Sequence, residues 1–324
     1  MKQDTIPKLL IAIHPDYDYE SIRLHKFIAE RNFETIDAYQ HFANNEMLNK
    51  TPEEVLHKFG VEKSNRDLAN QLAITAWEAN DREAKKIIKM ALKLDPENVE
   101  AHIFLAFDSI GTIALLNRLQ KAISLAADQL GEDYFEKYTG HFWLEPQSRP
   151  YMFARLHFVE ALIDNGKLQE AIVEMEDMIE LNPTDNQGVR DRLAPIYVAQ
   201  SKFGKYKGLR HRYQMDASAS SAYTYLAFLF ATAAPEKKIR AALENAINEN
   251  KYVLDYFAGD ENFEEIDFEI DTYTPGEKSE AWYCLQHILP LTIIIEPFGY
   301  FIAALRENKT DDTDKKSNHL RVVK

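Results

Sequence analysis

Cys284 and His287 stand three residues apart in AWYCLQH. On a helix that spacing brings a thiol and an imidazole to one face, where the imidazole could take the thiol's proton and leave a nucleophilic thiolate. The flanking residues are apolar, however, and a cysteine on an apolar helix face packs as a small hydrophobe. The second chemically dense stretch is GHFWLEPQSRPYMFAR, residues 140–155, which gathers His141, Trp143, Arg149, Tyr151 and Arg155 between two helical runs. A polar pocket in which His141, His157 and a carboxylate converge would make this stretch an enzymatic or metal-dependent site. Without such a pocket it is either an aromatic plug filling the gap between helical units or a recognition patch, since aromatics and arginine dominate binding hot spots. The ten histidines provide no HExxH or comparable pair with an acidic third ligand, and His211 lies between Arg210 and Arg212, a poor setting for a cation. No GxGxxG, Walker or GxSxG sequence occurs. No catalytic residue, metal or cofactor is expected.

The elements that must carry these residues are helical. Of 324 residues, 45% are hydrophobic and 28% charged, which places the chain among folded proteins with one large or two ordinary cores. Glycine (11) and proline (12) are sparse, as helix interiors require. Acidic residues outnumber basic ones 52 to 38, and the net charge of −14 should repel polyphosphate. No basic stripe is read that would reverse this locally, so nucleic acid is not an expected partner. A single cysteine excludes an intrachain disulfide and a thiolate zinc cluster, which fits a reducing, cytoplasmic setting. The five apolar residues Leu9 to Ile13 fall short of the roughly 7 to 15 of a signal-peptide core. The greasiest run, Ile288 to Leu305, nears the length of a membrane span, but Glu296 and two prolines interrupt it. Buried helices are expected there, with a membrane-held regulatory scaffold as the alternative.

Apolar residues recur at helical spacing from Asp67 to Leu94 on both sides of EANDRE, and from Tyr151 to Leu181 on both sides of DNGK. Each reads as a helical hairpin, with Gly166 suited to the left-handed residue after a helix. The second helices correspond at an offset of 87 residues, pairing Glu83 with Glu170, Ala84 with Ala171, Ile88 with Met175, Leu94 with Leu181 and Pro96 with Pro183. An early small residue lets paired helices approach closely, and the proline stops the helix. LNPTDNQGVR, Leu181 to Arg190, is therefore a turn between repeats, with Asn98 and Asp185 expected to cap the helices that follow. Two more hairpins span residues 186–213 and 220–250, the latter broken at Pro235. Before them, NKTPEEVLHKFGV reads as a short helix with Thr51 as cap, Pro52 in the first turn and Gly60 as terminator, and Tyr19 to Phe42 also reads as helical.

AWEANDREAKKIIKMALKLDPENVEA and ALIDNGKLQEAIVEMEDMIELNPTDN resemble tetratricopeptide repeats in the spacing of small residue, alanine and proline. Such repeats run about 34 residues, so the intervening hairpin, residues 100–130, must have long helices or a long exit. More narrowly, the succession of segments over residues 67 to 306 resembles the suppressor of tumorigenicity 7 family and its bacterial relatives, without the membrane spans of the animal members. The resemblance implies an all-α superhelix of helix hairpins, an α-solenoid, acting as a non-catalytic protein-interaction module or scaffold. On it, residues 1–64 form a helical cap, 65–257 the repeats, 258–306 a second helical cap and 307–324 a disordered tail. First helices of such arrays line a concave peptide-binding face, which maps Trp77, Glu160, Arg190 and Tyr197 as exposed contacts. Trp143, Arg149 and Tyr151 are the further partner-binding candidates. The Lys, Asn and Arg clamp of chaperone-tail receptors is absent, its places being held by Ala69, Ala73, Leu156 and Glu160. Glu160 and the net charge point to a protein or peptide partner of basic character.

Overall fold

The computed structural model describes residues 17–214, 216–257 and 273–311. The apolar run Leu9 to Ile13 and the tail from residue 312 lie outside them. Every element among the described residues is helical, and the chain divides into two compact units, Met1–Gln187 and Gly188–Lys324. The division falls inside the block 65–257 that the sequence reads as one run of repeats.

In the first unit, α1 (Tyr19–Glu30) starts where the Asp18 carboxylate accepts from the amides of Glu20 and Ser21. After a break at residues 31–35, α2 (Ile36–Phe42) passes into a π-turn, Ala43–Met47. The short helix expected after Thr51 is α3 (Pro52–Lys58), with Thr51 and Glu54 forming a reciprocal capping box. Leu24 of α1 closes on Val55 and Leu56 of α3. The first expected hairpin is α4 (Asn65–Trp77) and α5 (Asp81–Leu94). Its core is Ala69, Ala73, Ala76, Ala84 and Ala91 around Ile88, and such short side chains let the two helices pack closely. Next come α6 (Val99–Phe107) and the 19-residue α7 (Thr112–Leu130), so the intermediate hairpin has a long helix as well as a long exit. That exit holds α8 (Glu132–Tyr138) and two 3-10 turns, Phe142–Leu144 and Pro146–Ser148. The hairpin of α9 (Arg149–Asp164) and α10 (Leu168–Leu181) turns at Gly166, whose φ of +70° is the left-handed region that favours glycine.

The two matched turns differ in one respect. Asn98 caps α6 by accepting from the Ala101 amide, as expected. Asp185 instead takes a left-handed φ of +52°, and the second turn carries the additional residues Asn186, Gln187 and Gly188. The next helix therefore starts at Val189 with Gly188 before it.

In the second unit, α11 (Val189–Ala199) pairs with α12 (Phe203–Arg212), and α13 (Ala219–Ala231) pairs with α14 (Glu236–Glu249), which starts directly after Pro235. A short α15 (Tyr252–Phe257) follows, then α16 (Lys278–Ile294) and α17 (Glu296–Asp311), so helix continues four residues beyond the expected start of the tail. Buried Glu280 joins the unit: its carboxylate accepts from the Ala219 amide, Asn250 Nδ2 and the Gly276 amide at 2.8–3.0 Å. Pro290 sits inside α16 without ending it, and the run from Ile288 breaks at Ile295 instead. Among the described residues no single helix is long and apolar enough to cross a membrane, and α16 and α17 reach that length only as a pair bent by 111°.

That corner depends on Gly299. A Cβ there would collide with the Thr292 carbonyl oxygen, a backbone atom that cannot swing aside. Gly208, inside α12, has nothing within 4 Å of its missing Cβ. Gly299→Ala should therefore lower stability by about 1–3 kcal/mol through overpacking, whereas Gly208→Ala should raise it by about 0.5–1 kcal/mol through helix propensity. Chemical denaturation of both variants checks the pair, and similar shifts of one sign would contradict the described corner.

Candidate functional site

The exit from α7 to α9 has an inner and an outer side. Inside, Phe142 is fully buried, with its ring 5.7 Å from Tyr134, 5.1 Å from Phe135 and 6.1 Å from Tyr151. Ser148 Oγ donates to the carbonyls of Phe142 and Glu145, closing the two 3-10 turns on themselves. The Gly140 amide donates to the Leu181 carbonyl at 3.0 Å, tying the exit to the end of α10. This half is the aromatic plug, and Tyr151 belongs to it.

The outer side is different. Leu144 is 66% exposed, and Trp143 beside it is half-exposed with the Arg149 guanidinium 5.2 Å over its ring. His141 is exposed, and Glu145 lies 3.7 Å from His25 of α1. On α8, Glu132, Asp133 and Glu136 are exposed, with Lys137 the cation among them. An apolar knob thus stands on a braced turn in acidic surroundings. Of the candidate residues, the structure brings Trp143 and Arg149 together and keeps both at the surface.

The expected concave contacts lie elsewhere. Trp77 is half-buried, edge-on to Phe104 and Phe107 at 5.3 and 5.8 Å. Glu160, expected at the surface, is 8% exposed, and its carboxylate lies 3.9 Å from Nδ1 of His157. His157 is itself enclosed edge-on by Phe107 and Phe153 at 4.9 and 4.3 Å. Tyr197, also expected at the surface, is 4% exposed. Arg190 is partly exposed, paired with Asp216 at 2.9 Å, and lies over the Tyr213 ring at 5.1 Å. The cause for Glu160 is visible in α9: every residue from Tyr151 to Leu162 is buried, so this helix has no open face to line a groove. It packs on α6, α7, α10 and the exit turns, which cover the side a simple hairpin stack would leave free.

Arg155 shares this burial at 4% exposure. Its Nε and Nη2 donate to Glu174 and its Nη1 to Asp177, all from α9 to α10, at 2.5–2.9 Å. It latches the hairpin. Among the described residues, no group of three His, Cys, Asp or Glu side chains stands close enough to hold a metal ion. Cys284 is fully buried, and that burial pushes its thiol well above the ordinary value. Desolvation pushes the His287 imidazole well below its own. Both groups are driven toward their neutral forms, the reverse of what a thiolate–imidazolium pair needs.

One surface escaped the sequence reading. No Asp or Glu occurs between Asp191 and Asp216, and α12 in that interval exposes Lys205, Lys207, Arg210, His211 and Arg212. A basic face therefore does exist within the acidic chain. The signal lay in SKFGKYKGLRHRY, and averaging charge over the whole sequence concealed it.

Burial separates the two kinds of candidate in a measurable way. Glu160→Lys should destabilise by more than about 2 kcal/mol, because it forces a cationic group into a buried site beside His157. Leu144→Glu should change stability by less than about 0.5 kcal/mol. Thermal melts of the two variants test the assignment, and an unperturbed Glu160→Lys melt would place that residue back on the surface.

In comparisons with known proteins, no family model, no curated protein and no solved structure matched the chain, so the surface chemistry of each unit carries the functional assignment.

Proposed function

We propose that this chain is a non-catalytic protein-interaction module, a tetratricopeptide-like α-solenoid of helix hairpins, which binds a protein or peptide of basic character. Its recognition surface is the outer side of the α8–α9 exit in place of a concave groove. The observation that supports this most directly is Leu144, 66% exposed beside Trp143 on a turn braced from beneath by Phe142, Ser148 and the Gly140–Leu181 hydrogen bond. A contact surface that is already ordered loses little conformational entropy on binding. Tryptophan and arginine are among the residue types that alanine scans find enriched at hot spots. The exposed acids of α8 then favour a partner that brings lysine or arginine to the rim, where charge acts mainly on encounter and selectivity.

The test is affinity capture with the full chain, identified by mass spectrometry and run in parallel with a Trp143→Ala/Leu144→Glu variant of unchanged melting behaviour. Partners captured by the wild type should be rich in basic segments, fall away as salt rises, and be weakened at least about tenfold in the variant. Retention of the same partners by the variant would reject the exit turn as the recognition surface.

A further inference from the structure

The basic face of α12 borders a small polar cleft within the second unit. The cleft has a volume of about 30 Å³ and lies between the first turns of α11, the outer half of α12 and the start of α13. Two buried hydroxyls line it, Tyr206 Oη and Thr224 Oγ1, belonging to residues only 2% and 1% exposed. Neither makes a hydrogen bond among the described residues. Buried polar groups are nearly always satisfied, so two orphans facing one void point to a guest that supplies acceptors.

The charges around the cleft select the guest. Arg190 and Asp216 neutralise each other at 2.9 Å, and Asp191 receives the Tyr283 hydroxyl at 3.5 Å. Arg210 is exposed, its guanidinium over the Tyr225 ring at 3.9 Å, and makes no ion pair among the described residues. The lining is formally balanced, two arginines against two aspartates. The excess positive charge comes from Lys207 and Arg212, which flank Arg210 on the exposed face of α12. Because salt screens charges beyond about 8 Å, a short segment docking here feels this local excess more than the net charge of the whole chain. An extended polyanion would also meet the acidic remainder.

We propose that α12 and the cleft beside it dock an acidic peptide segment of a partner protein. One carboxylate of that segment enters the cleft, accepts hydrogen bonds from Tyr206 Oη and Thr224 Oγ1, and faces Arg210. The two unmet hydroxyls can donate to the two oxygens of one carboxylate. Planar, bidentate recognition of carboxylate is also what a stacked arginine does well. This surface belongs to the second unit and stands independently of the exit turn in the first.

Fluorescence anisotropy on the full chain tests the proposal, using a labelled Glu-rich peptide and its Gln-substituted counterpart, with heparin and anionic vesicles as competitors. The Glu peptide should bind and the Gln peptide should not. Arg210→Glu should weaken binding at least about tenfold, and Thr224→Val, which removes only the hydroxyl, several-fold with an unchanged melt. Equal binding of both peptides, or indifference to Arg210→Glu, would overturn the proposal. Loss with Arg210→Glu but none with Thr224→Val would overturn the placement of a carboxylate in the cleft. Competition by heparin or vesicles tighter than the peptide itself would mark a general polyanion surface and reject the peptide assignment. Residues 260–271 of this chain, DENFEEIDFEID, are themselves acidic. Binding seen only after their acids are replaced by amides would identify that stretch as the occupant and reject a partner segment.

Discussion

A guanidinium at 4% exposure in the middle of twelve consecutive buried residues is the constraint on which the first unit is built. Removing such a charge from water is costly unless every face of it is met by acceptors. Glu174 and Asp177 meet that need from α10, and Tyr151 Oη contributes a third acceptor at 3.2 Å. The same contacts fix α9 against α10 in one register. That register places the Leu181 carbonyl where it receives the Gly140 amide, and this bond holds the exit segment over α9. Arg155 lies well inside the molecule, yet the position of Trp143 and Leu144 at the surface follows from how its charge is accommodated.

The second unit is organised around a buried charge of the opposite sign. Glu280 gathers the start of α13, Asn250 after α14 and the approach to α16, all through hydrogen bonds to one carboxylate. Both units therefore seal an ionised group in the interior and leave a distinct surface outside it. In the first, an apolar knob stands among the acids of α8. In the second, a basic helix borders a cleft with two unmet hydroxyls. Two chemically opposite surfaces favour dissimilar ligands, with specificity arising as much from the repulsion of the wrong one as from attraction to the right one.

The hairpins were legible because their cause is local. Helical periodicity, Ala84 and Ala171 early in the second helices, and Pro96 and Pro183 at the exits are all short-range signals, and α4/α5 and α9/α10 form where those signals fall. The failures have tertiary causes. Glu160 was expected at the surface because first helices of tetratricopeptide arrays line a concave face, but α9 is enclosed all round. The helix after Asp185 starts later than the analogy with Asn98 suggests, because three extra residues move its start to Val189. Phe142 and Leu144, two positions apart, are indistinguishable in sequence as plug and knob. Only the 3-10 turn decides which of them faces inward.

The central claim is that the exit turn meets the partner, and site-specific photo-crosslinking reads this directly. A photoreactive side chain at position 144 and another at position 173, on the exposed outer face of α10, present comparable surface groups from the same unit. The account predicts that position 144 captures a protein partner in a salt-sensitive adduct and that position 173 does not. Adducts at 173 with none at 144 would contradict it and move recognition to the α10 face.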